Sequence, residues 1–335
     1  MSARQPIIGI TMGDPAGVGP EIICRALARP EVFQYARPLV LGDTGILEKA
    51  SVTTGTGTRF TRIDSPDQAA ADPDAIPVMN LSALDPHAHQ WGRPGRETGR
   101  AMMSYIERAI DMAMAKEISA LTTCPINKAA MKMAGGRYPG HTELLARRTG
   151  AQSYAMMMAG KRLRVVLVTI HVALRAVADS IDPGRIAEMI RLTDQGLKAR
   201  FGIGAPKIAV AGLNPHAGEE EMFGDEEVRL IRPAIEQAVS GGIFATGPHP
   251  PDTVFYHAAA GTYDAVVCMY HDQGLIPFKM LHFSDGVNTT LGLPIIRTSV
   301  DHGTAYDIAG KGTADPESLI AAIEMAAVHA GRAGL

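Results

Sequence analysis

Three histidines occupy matching places in three separate apolar runs. Arg164-Val-Val-Leu-Val-Thr-Ile170 ends in His171, and Lys207-Ile-Ala-Val-Ala-Gly-Leu213 continues through Asn214-Pro215 to His216. Ala265-Val-Val-Cys-Met-Tyr270 ends in His271, just before a glycine-bearing turn at Gly274. Short β-prone apolar runs of this kind predict buried strands. In open α/β sheets ligands bind beyond the carboxyl ends of the strands, and imidazole is the commonest side chain on a catalytic metal. The intervals of 45 residues (171 to 216) and 55 residues (216 to 271) are too long for a local zinc finger. They suit an open, catalytic divalent site, whose ion would polarise a substrate oxygen and stabilise it as alkoxide or enolate. Each histidine alone would more simply be a surface or core residue, as His87, His89, His257 and His329 are expected to be. The shared placement is what favours a joint site.

A second set is polar and cationic: His141, Thr142, Lys279, Asn288 and Arg297, all expected in loops or at strand ends. Arginine and lysine there can clamp a carboxylate or phosphate, arginine in bidentate fashion; Lys279 taken alone is equally a solvated charge. Asp252, between prolines and a threonine, is either a general base or a turn cap. Hydrolase chemistry finds no support, because neither a Gly-x-Ser-x-Gly elbow nor a His-Glu-x-x-His helix occurs.

The elements that must carry these residues alternate in type. Strands are expected at Pro6–Thr11, Arg37–Gly42, Ala75–Asn80 and Ser119–Thr123, with helices at Glu21–Ala28, Glu97–Ile118, Asp225–Val239 (kinked at Pro233) and Glu317–Ala330. A helix beginning near Glu143 would take Thr142 as its N-cap, and Asp182-Pro183 is a strong helix start. Residues 51–74 read as an irregular excursion, Gly218–Gly224 as a mobile acidic loop, and Pro248–Thr253 as stiff and extended. Gly13-Asp-Pro-Ala-Gly-Val-Gly-Pro-Glu21 joins the first strand to the first helix. It is either an anion-binding turn or only a tight connection, since it is neither G-x-G-x-x-G nor a phosphate loop. Strand-helix alternation throughout predicts parallel sheets flanked by helices.

The totals are those of a folded protein of about two domains: 335 residues, 46% hydrophobic, 20% charged. A net charge of −3 gives no reason to expect nucleic acid or a membrane surface as partner. Cys24, Cys124 and Cys268 lie far apart and read as core residues of a reducing compartment. With no apolar run of span length and no secretory segment in Met-Ser-Ala-Arg-Gln-Pro, a cytoplasmic location is expected.

Five motifs, taken together and in order, resemble the 4-hydroxythreonine-4-phosphate dehydrogenase (PdxA-type) family of metal-dependent oxidative decarboxylases. They are Gly13–Glu21, Pro139-Gly-His-Thr-Glu143, Gly212-Leu-Asn-Pro-His-Ala-Gly218, Met269-Tyr-His-Asp-Gln-Gly274 and Arg297-Thr-Ser-Val-Asp-His-Gly-Thr304, and the likeness spans essentially the whole chain. The resemblance implies two α/β/α domains like those of the isocitrate and isopropylmalate dehydrogenases, with the active site in the interdomain cleft. Residues 1–125 with 288–335 would form one domain and 126–287 the metal and dimer domain. It implies a homodimer whose metal site draws on both subunits, with His171, His216 and His271 as ligands to one divalent ion (Zn, Mg, Mn or Co). His141, Thr142, Lys279, Asn288 and Arg297 match the family's substrate-binding residues, with Asp252 and Lys279 as the expected catalytic groups. His302–Pro316 resembles the nicotinamide-cofactor loop of the isopropylmalate dehydrogenases, where Gly303 would let the backbone approach the adenosine and Asp307 would accept from a ribose hydroxyl.

The implied chemistry is NAD- or NADP-dependent oxidation of the C3 hydroxyl of a phosphorylated four-carbon hydroxy acid, followed by decarboxylation of the 3-keto acid, as in pyridoxal phosphate biosynthesis. Asn127 in Cys124-Pro-Ile-Asn-Lys128, together with 141–146 and 221–226, leans toward a branch acting on 4-phospho-D-threonate or 4-phospho-D-erythronate. A further relative acts on a terephthalate cis-dihydrodiol. Two readings from other classes are a phosphate acyltransferase-like enzyme, which has no need of three convergent histidines, and a ligand-binding protein without turnover.

Overall fold

The computed structural model describes residues 5–136, 138 and 140–335; Met1–Arg4, and Pro139 of the Pro139–Glu143 motif, lie outside the described residues. The chain divides into two compact units, Met1–Ala151 with Leu293–Leu335, and Gln152–Gly292. The expected limits were 125/126 and 287/288. The first falls later because helices Lys128–Met133 and His141–Thr149 belong to the first unit. Gly99 of helix Arg96–Met114 packs so closely on the first of these that a Cβ there would lie 2.2 Å from Ala130 O. Arg148 ties the second to the same long helix through an ion pair with Asp111 at 2.5 Å.

The first unit is built on strands β1 (Ile7–Thr11), β2 (Arg37–Gly42), β3 (Phe60–Arg62), β4 (Ile76–Asn80) and β5 (Ala120–Thr123). The second contributes β6 (Ala155–Ala159), β7 (Arg164–Leu167), β8 (Ile208–Ala211), β9 (Ala245–His249), β10 (Ala265–Cys268) and β11 (Val287–Leu291), before β12 (Arg297–Val300) returns to the first unit. In the first unit the order is β3-β4-β2-β1-β5-β12, every pairing parallel. In the second it is β11-β6-β7-β10-β8-β9, parallel from β7 onward and antiparallel at β11-β6-β7. The central strands are apolar on both faces, as strands covered by helices on each side must be. Val165, Leu167, Ala209, Ala211, Val266 and Cys268 are all essentially inaccessible and pack with Leu275 and Phe278. Each large side chain there contributes roughly 1.5–3 kcal/mol by leaving water.

Residues 51–54 end a helix, Thr44–Thr54, and 60–62 form β3, so the stretch 51–74 is more regular than its composition suggests. Residues 226–240 run as one helical stretch, π-helical over Glu227–Ile231 and α-helical over Arg232–Ser240, so the irregularity expected at Pro233 falls in the turn directly before it. Pro248 lies in β9 and Pro250–Thr253 form a turn, so the Pro248–Thr253 segment is extended only at its start. Asp182 does cap helix Pro183–Ala199, its Oδ1 accepting from Arg185 N at 2.9 Å.

The Gly13–Glu21 turn resolves as a tight connection. Ala16 N donates to Asp14 Oδ1, Gly17 N to Asp14 O and Val18 N to Thr304 O, so these amides are spent internally. Its glycines are steric: a Cβ on Gly13 (φ 71°) would sit 2.3 Å from Pro125 O, and one on Gly19 2.1 Å from Met12 O. Cys24, Cys124 and Cys268 are free and buried, and burial pushes their thiols up. Among the described residues no helix is long and apolar enough to cross a membrane.

Candidate active site

In the second unit β7, β10 and β8 lie side by side and deliver His171, His271 and His216 beyond their carboxyl ends. The three segments are laced together. Val168 N donates to Cys268 O, and Thr169 gives both its amide and its hydroxyl (2.7 Å) to Met269 O. Gln273, buried, accepts from Met269 N at 2.7 Å and donates to Gly212 O at 2.6 Å. Each bond falls two to four residues from a histidine, so the frame fixes where the imidazoles emerge.

His271 is the first residue of helix His271–Leu281, not the last before a turn. Gly274 is there for close packing: a Cβ would lie 3.0 Å from Cys268 Sγ and 3.1 Å from Leu167 Cδ2. The His271 ring lies 5.9 Å from that of His171, tilted by 34°. Nδ1 of His271 donates to Asp272 Oδ1 at 2.7 Å, which leaves Nε2 as the acceptor, the carboxylate–histidine arrangement that orients metal-binding imidazoles.

His216 stands in an unusual backbone. From His216 to Glu221 every residue has positive φ: 52°, 55°, 84°, 41°, 53° and 71°. Left-handed conformation costs L-residues of this kind about 1–2 kcal/mol each, so neighbouring structure must hold it. Glu227 does much of the holding. Its buried carboxylate accepts from Leu213 N and Asn214 N, both at 2.7 Å, and from Asn214 Nδ2 at 2.9 Å.

Metal–nitrogen bonds of about 2 Å leave two imidazole centroids on one ion roughly 5–6.5 Å apart, so the His171–His271 pair fits a shared cation. Among the described residues, however, no group of three His, Cys, Asp or Glu side chains within the chain gathers around a point that could hold one.

The first unit holds the anion-binding candidates. Arg297 opens β12 and is buried; its Nη2 donates to Thr123 Oγ1 at 2.8 Å. Burial lowers its pKa to about 10, which leaves the guanidinium charged at neutral pH. His141 is driven well below the ordinary histidine range, first by burial and second by the charge of Arg297. Its Nε2 is buried without a hydrogen-bond partner among the described residues. Thr142 does not cap its helix, which begins at His141 with Gly140 as N-cap; it occupies the first turn, half-buried. A neutral imidazole and a charged guanidinium can offer hydrogen bonds and positive charge to an anionic ligand.

The remaining residues are spread over both units. Asn288, on β11, has a buried Oδ1 with no partner among the described residues. Lys279 sits on helix His271–Leu281, not in a loop, with Nζ 5.5 Å from the Phe283 ring centroid. Asp252 is exposed on the turn before helix Val254–Ala259. Gly303 and Asp307 are exposed in the first unit, and a Cβ on Gly303 would meet nothing within 4 Å, leaving room for a bound group against the backbone. Sequence reasoning missed Thr123, Thr169, Gln273 and Glu227. Gln273 lies inside the Met269–Gly274 motif and was within reach; the others carry no local signature.

The chain belongs to the PdxA family: residues 34–326 match the family described as "Pyridoxal phosphate biosynthetic protein PdxA". Its class is that of the dehydrogenases, oxidoreductases acting on CH–OH groups. Among its relatives, the 4-hydroxythreonine-4-phosphate dehydrogenase of Desulfosudis oleivorans is 61% identical over 96% of this chain and 95% of its own length. The D-threonate 4-phosphate dehydrogenase of Cupriavidus necator is 45% identical over 99% of each. The crystal structure of the 4-hydroxythreonine-4-phosphate dehydrogenase of Klebsiella pneumoniae superposes with a TM-score of 0.91 at 44% identity, covering 98% of this chain and 99% of that one.

Proposed function

We propose that the protein oxidises the C3 hydroxyl of a phosphorylated four-carbon hydroxy acid of the 4-hydroxythreonine-4-phosphate type, with NAD or NADP as acceptor, and that the 3-keto acid then loses CO₂. The observation that carries this is Arg297, a buried guanidinium beside a neutral His141 whose Nε2 has no hydrogen-bond partner among the described residues. Such a pair calls for an anionic substrate with hydrogen-bonding groups. When bound, a divalent ion makes a coordinated hydroxyl more acidic, and the nicotinamide ring accepts hydride.

The chain's own groups have distinct tasks. Arg297 binds a carboxylate or phosphate, and His141 and Thr142 hydrogen-bond the same ligand. Asn288 Oδ1 accepts from a substrate donor. Lys279 and Asp252 are the titratable groups for proton transfer. Gly303 and Asp307 hold the adenosine end of the cofactor. His171, His216 and His271 hold the ion.

We further propose that the third metal ligand reaches the site from a second copy of the chain. Leu174 and Met222, close after His171 and His216, and Ile276, Met280 and Phe283, close after His271, expose 60–82% of their surface. A partner would cover this apolar fringe.

A second reading, oxidation of D-threonate 4-phosphate, is supported by the 45% identity to the D-threonate 4-phosphate dehydrogenase of Cupriavidus necator. An assay for NAD(P)H formation with both phosphorylated acids and a terephthalate cis-dihydrodiol, each with Mg²⁺, Mn²⁺ or Zn²⁺, tests the reading. Turnover of a phosphorylated acid is expected; reduction of neither cofactor with any of the three would overturn it.

A further inference from the structure

The Gly13–Glu21 motif binds no anion with its turn amides, yet it places two carboxylates, Asp14 and Glu21, that are wholly buried. Glu21 is the third residue of helix Gly19–Leu27, where a glutamate ordinarily turns back to cap its own helix. Here it reaches a segment almost three hundred residues further along the chain. Oε1 accepts from Gly310 N, and Oε2 from Gly312 N at 2.7 Å. Asp14 Oδ2 accepts from the Tyr306 hydroxyl at 2.6 Å. Val18 N donates to Thr304 O at 3.0 Å, and Arg25 Nη1 to Gly312 O at 3.0 Å.

Four bonds from this strand-to-helix connection, and a fifth from Arg25 on the helix it opens, thus fasten residues 304–312, while Gly303 and Asp307 remain exposed. Gly310 (φ 83°) and Gly312 (φ 66°) complete the fit, since a Cβ would strike Trp91 at one and Thr53 O at the other.

We propose that Glu21 is a positioning residue for the dinucleotide: its carboxylate pre-shapes the 302–316 loop so that Gly303 and Asp307 meet the adenosine ribose without the loop having to order on binding. This rests on the reading of that loop as the cofactor loop. Fixing backbone residues costs conformational entropy, so a loop ordered beforehand binds more tightly than one ordered by its ligand. Glutamine at position 21 keeps the volume, but its amide nitrogen cannot accept, and one of the two loop amides loses its partner.

The test is NADH titration by fluorescence, with steady-state kinetics, on the full-length wild type and on Glu21→Gln, Tyr306→Phe and Asp307→Ala. Glu21→Gln should raise the Kd for NADH and the KM for the oxidised cofactor about tenfold. The KM for the phosphorylated substrate, and kcat at saturating cofactor, should stay within about twofold. Tyr306→Phe, a milder change should the first variant fold poorly, should shift the cofactor constants alone and in the same direction. Asp307→Ala reports on the loop assignment itself. If it weakens NADH binding while Glu21→Gln and Tyr306→Phe do not, the positioning role is overturned and the cofactor reading stands. If Asp307→Ala leaves NADH affinity intact, the cofactor reading falls and the role of Glu21 with it. A loss of thermal stability in Glu21→Gln with cofactor constants unchanged would also overturn the proposal.

Discussion

The side-chain amide of Gln273 donates to the carbonyl of Gly212 at 2.6 Å, joining the ends of β10 and β8 two residues after His271 and four before His216. With its Oε1 on Met269 N, Gln273 satisfies a backbone group on each strand. Gln273→Leu strands both, and a buried unsatisfied group costs about 1–3 kcal/mol. The variant should therefore lose roughly 2–5 kcal/mol in urea unfolding, together with affinity for a divalent ion. Gln273→Glu, which still accepts from Met269 N, should recover part of both. Wild-type metal affinity in Gln273→Leu would show that the frame does not position the histidines.

Glu227 acts on the same loop from the other side. Glu227→Ala removes the acceptor of Leu213 N and Asn214 N and releases the left-handed run at His216. Mn²⁺ affinity, followed by calorimetry, should fall at least tenfold, more than 1.4 kcal/mol. An unchanged affinity would mean that the His216 backbone is held elsewhere.

Arg297 anchors the substrate. Arg297→Met should mainly raise the substrate KM, by an amount equivalent to about 2–5 kcal/mol for a lost buried charge partner. An unchanged KM would count against the anion clamp.

His141 makes a prediction about pH. Its pKa is lowered on folding, so below about pH 6.5 the unfolded chain takes up a proton that the folded protein does not. Stability is therefore complete above pH 6.5 and is lost as the pH falls toward the depressed folded value. The stability of wild type relative to His141→Asn should decline between pH 7 and pH 5 in denaturant titrations. A pH-independent difference would place the imidazole in water.

Much of this was legible in the sequence, and what was not has physical causes. The three histidine-bearing strands announce themselves because parallel strands covered on both faces need unbroken apolar runs. Asp182-Pro183 declares a helix start through local hydrogen bonding alone. Helix His271–Leu281 was hidden by Gly274, which reads as a turn residue but is needed because Cys268 and Leu167 press on it. β11 and β12 carry few local signals, since strand pairing is decided by distant partners. Thr142 reads as a cap only if the helix begins at Glu143, and the extended Gly140 places that start two residues earlier. The partners of Glu21 and Glu227 are invisible to any local pattern because their bonds close through the folded chain.

The most direct measurement is the binding of Mn²⁺ or Zn²⁺ to metal-stripped protein, by calorimetry and by metal content per chain, for wild type and for His171→Ala, His216→Ala and His271→Ala, with mass determined in parallel. One ion per chain in a dimeric wild type is expected, with each variant folded and dimeric but binding at least a hundredfold more weakly, about 2.7 kcal/mol. Wild-type affinity in the folded His216→Ala protein would contradict a centre built from all three imidazoles.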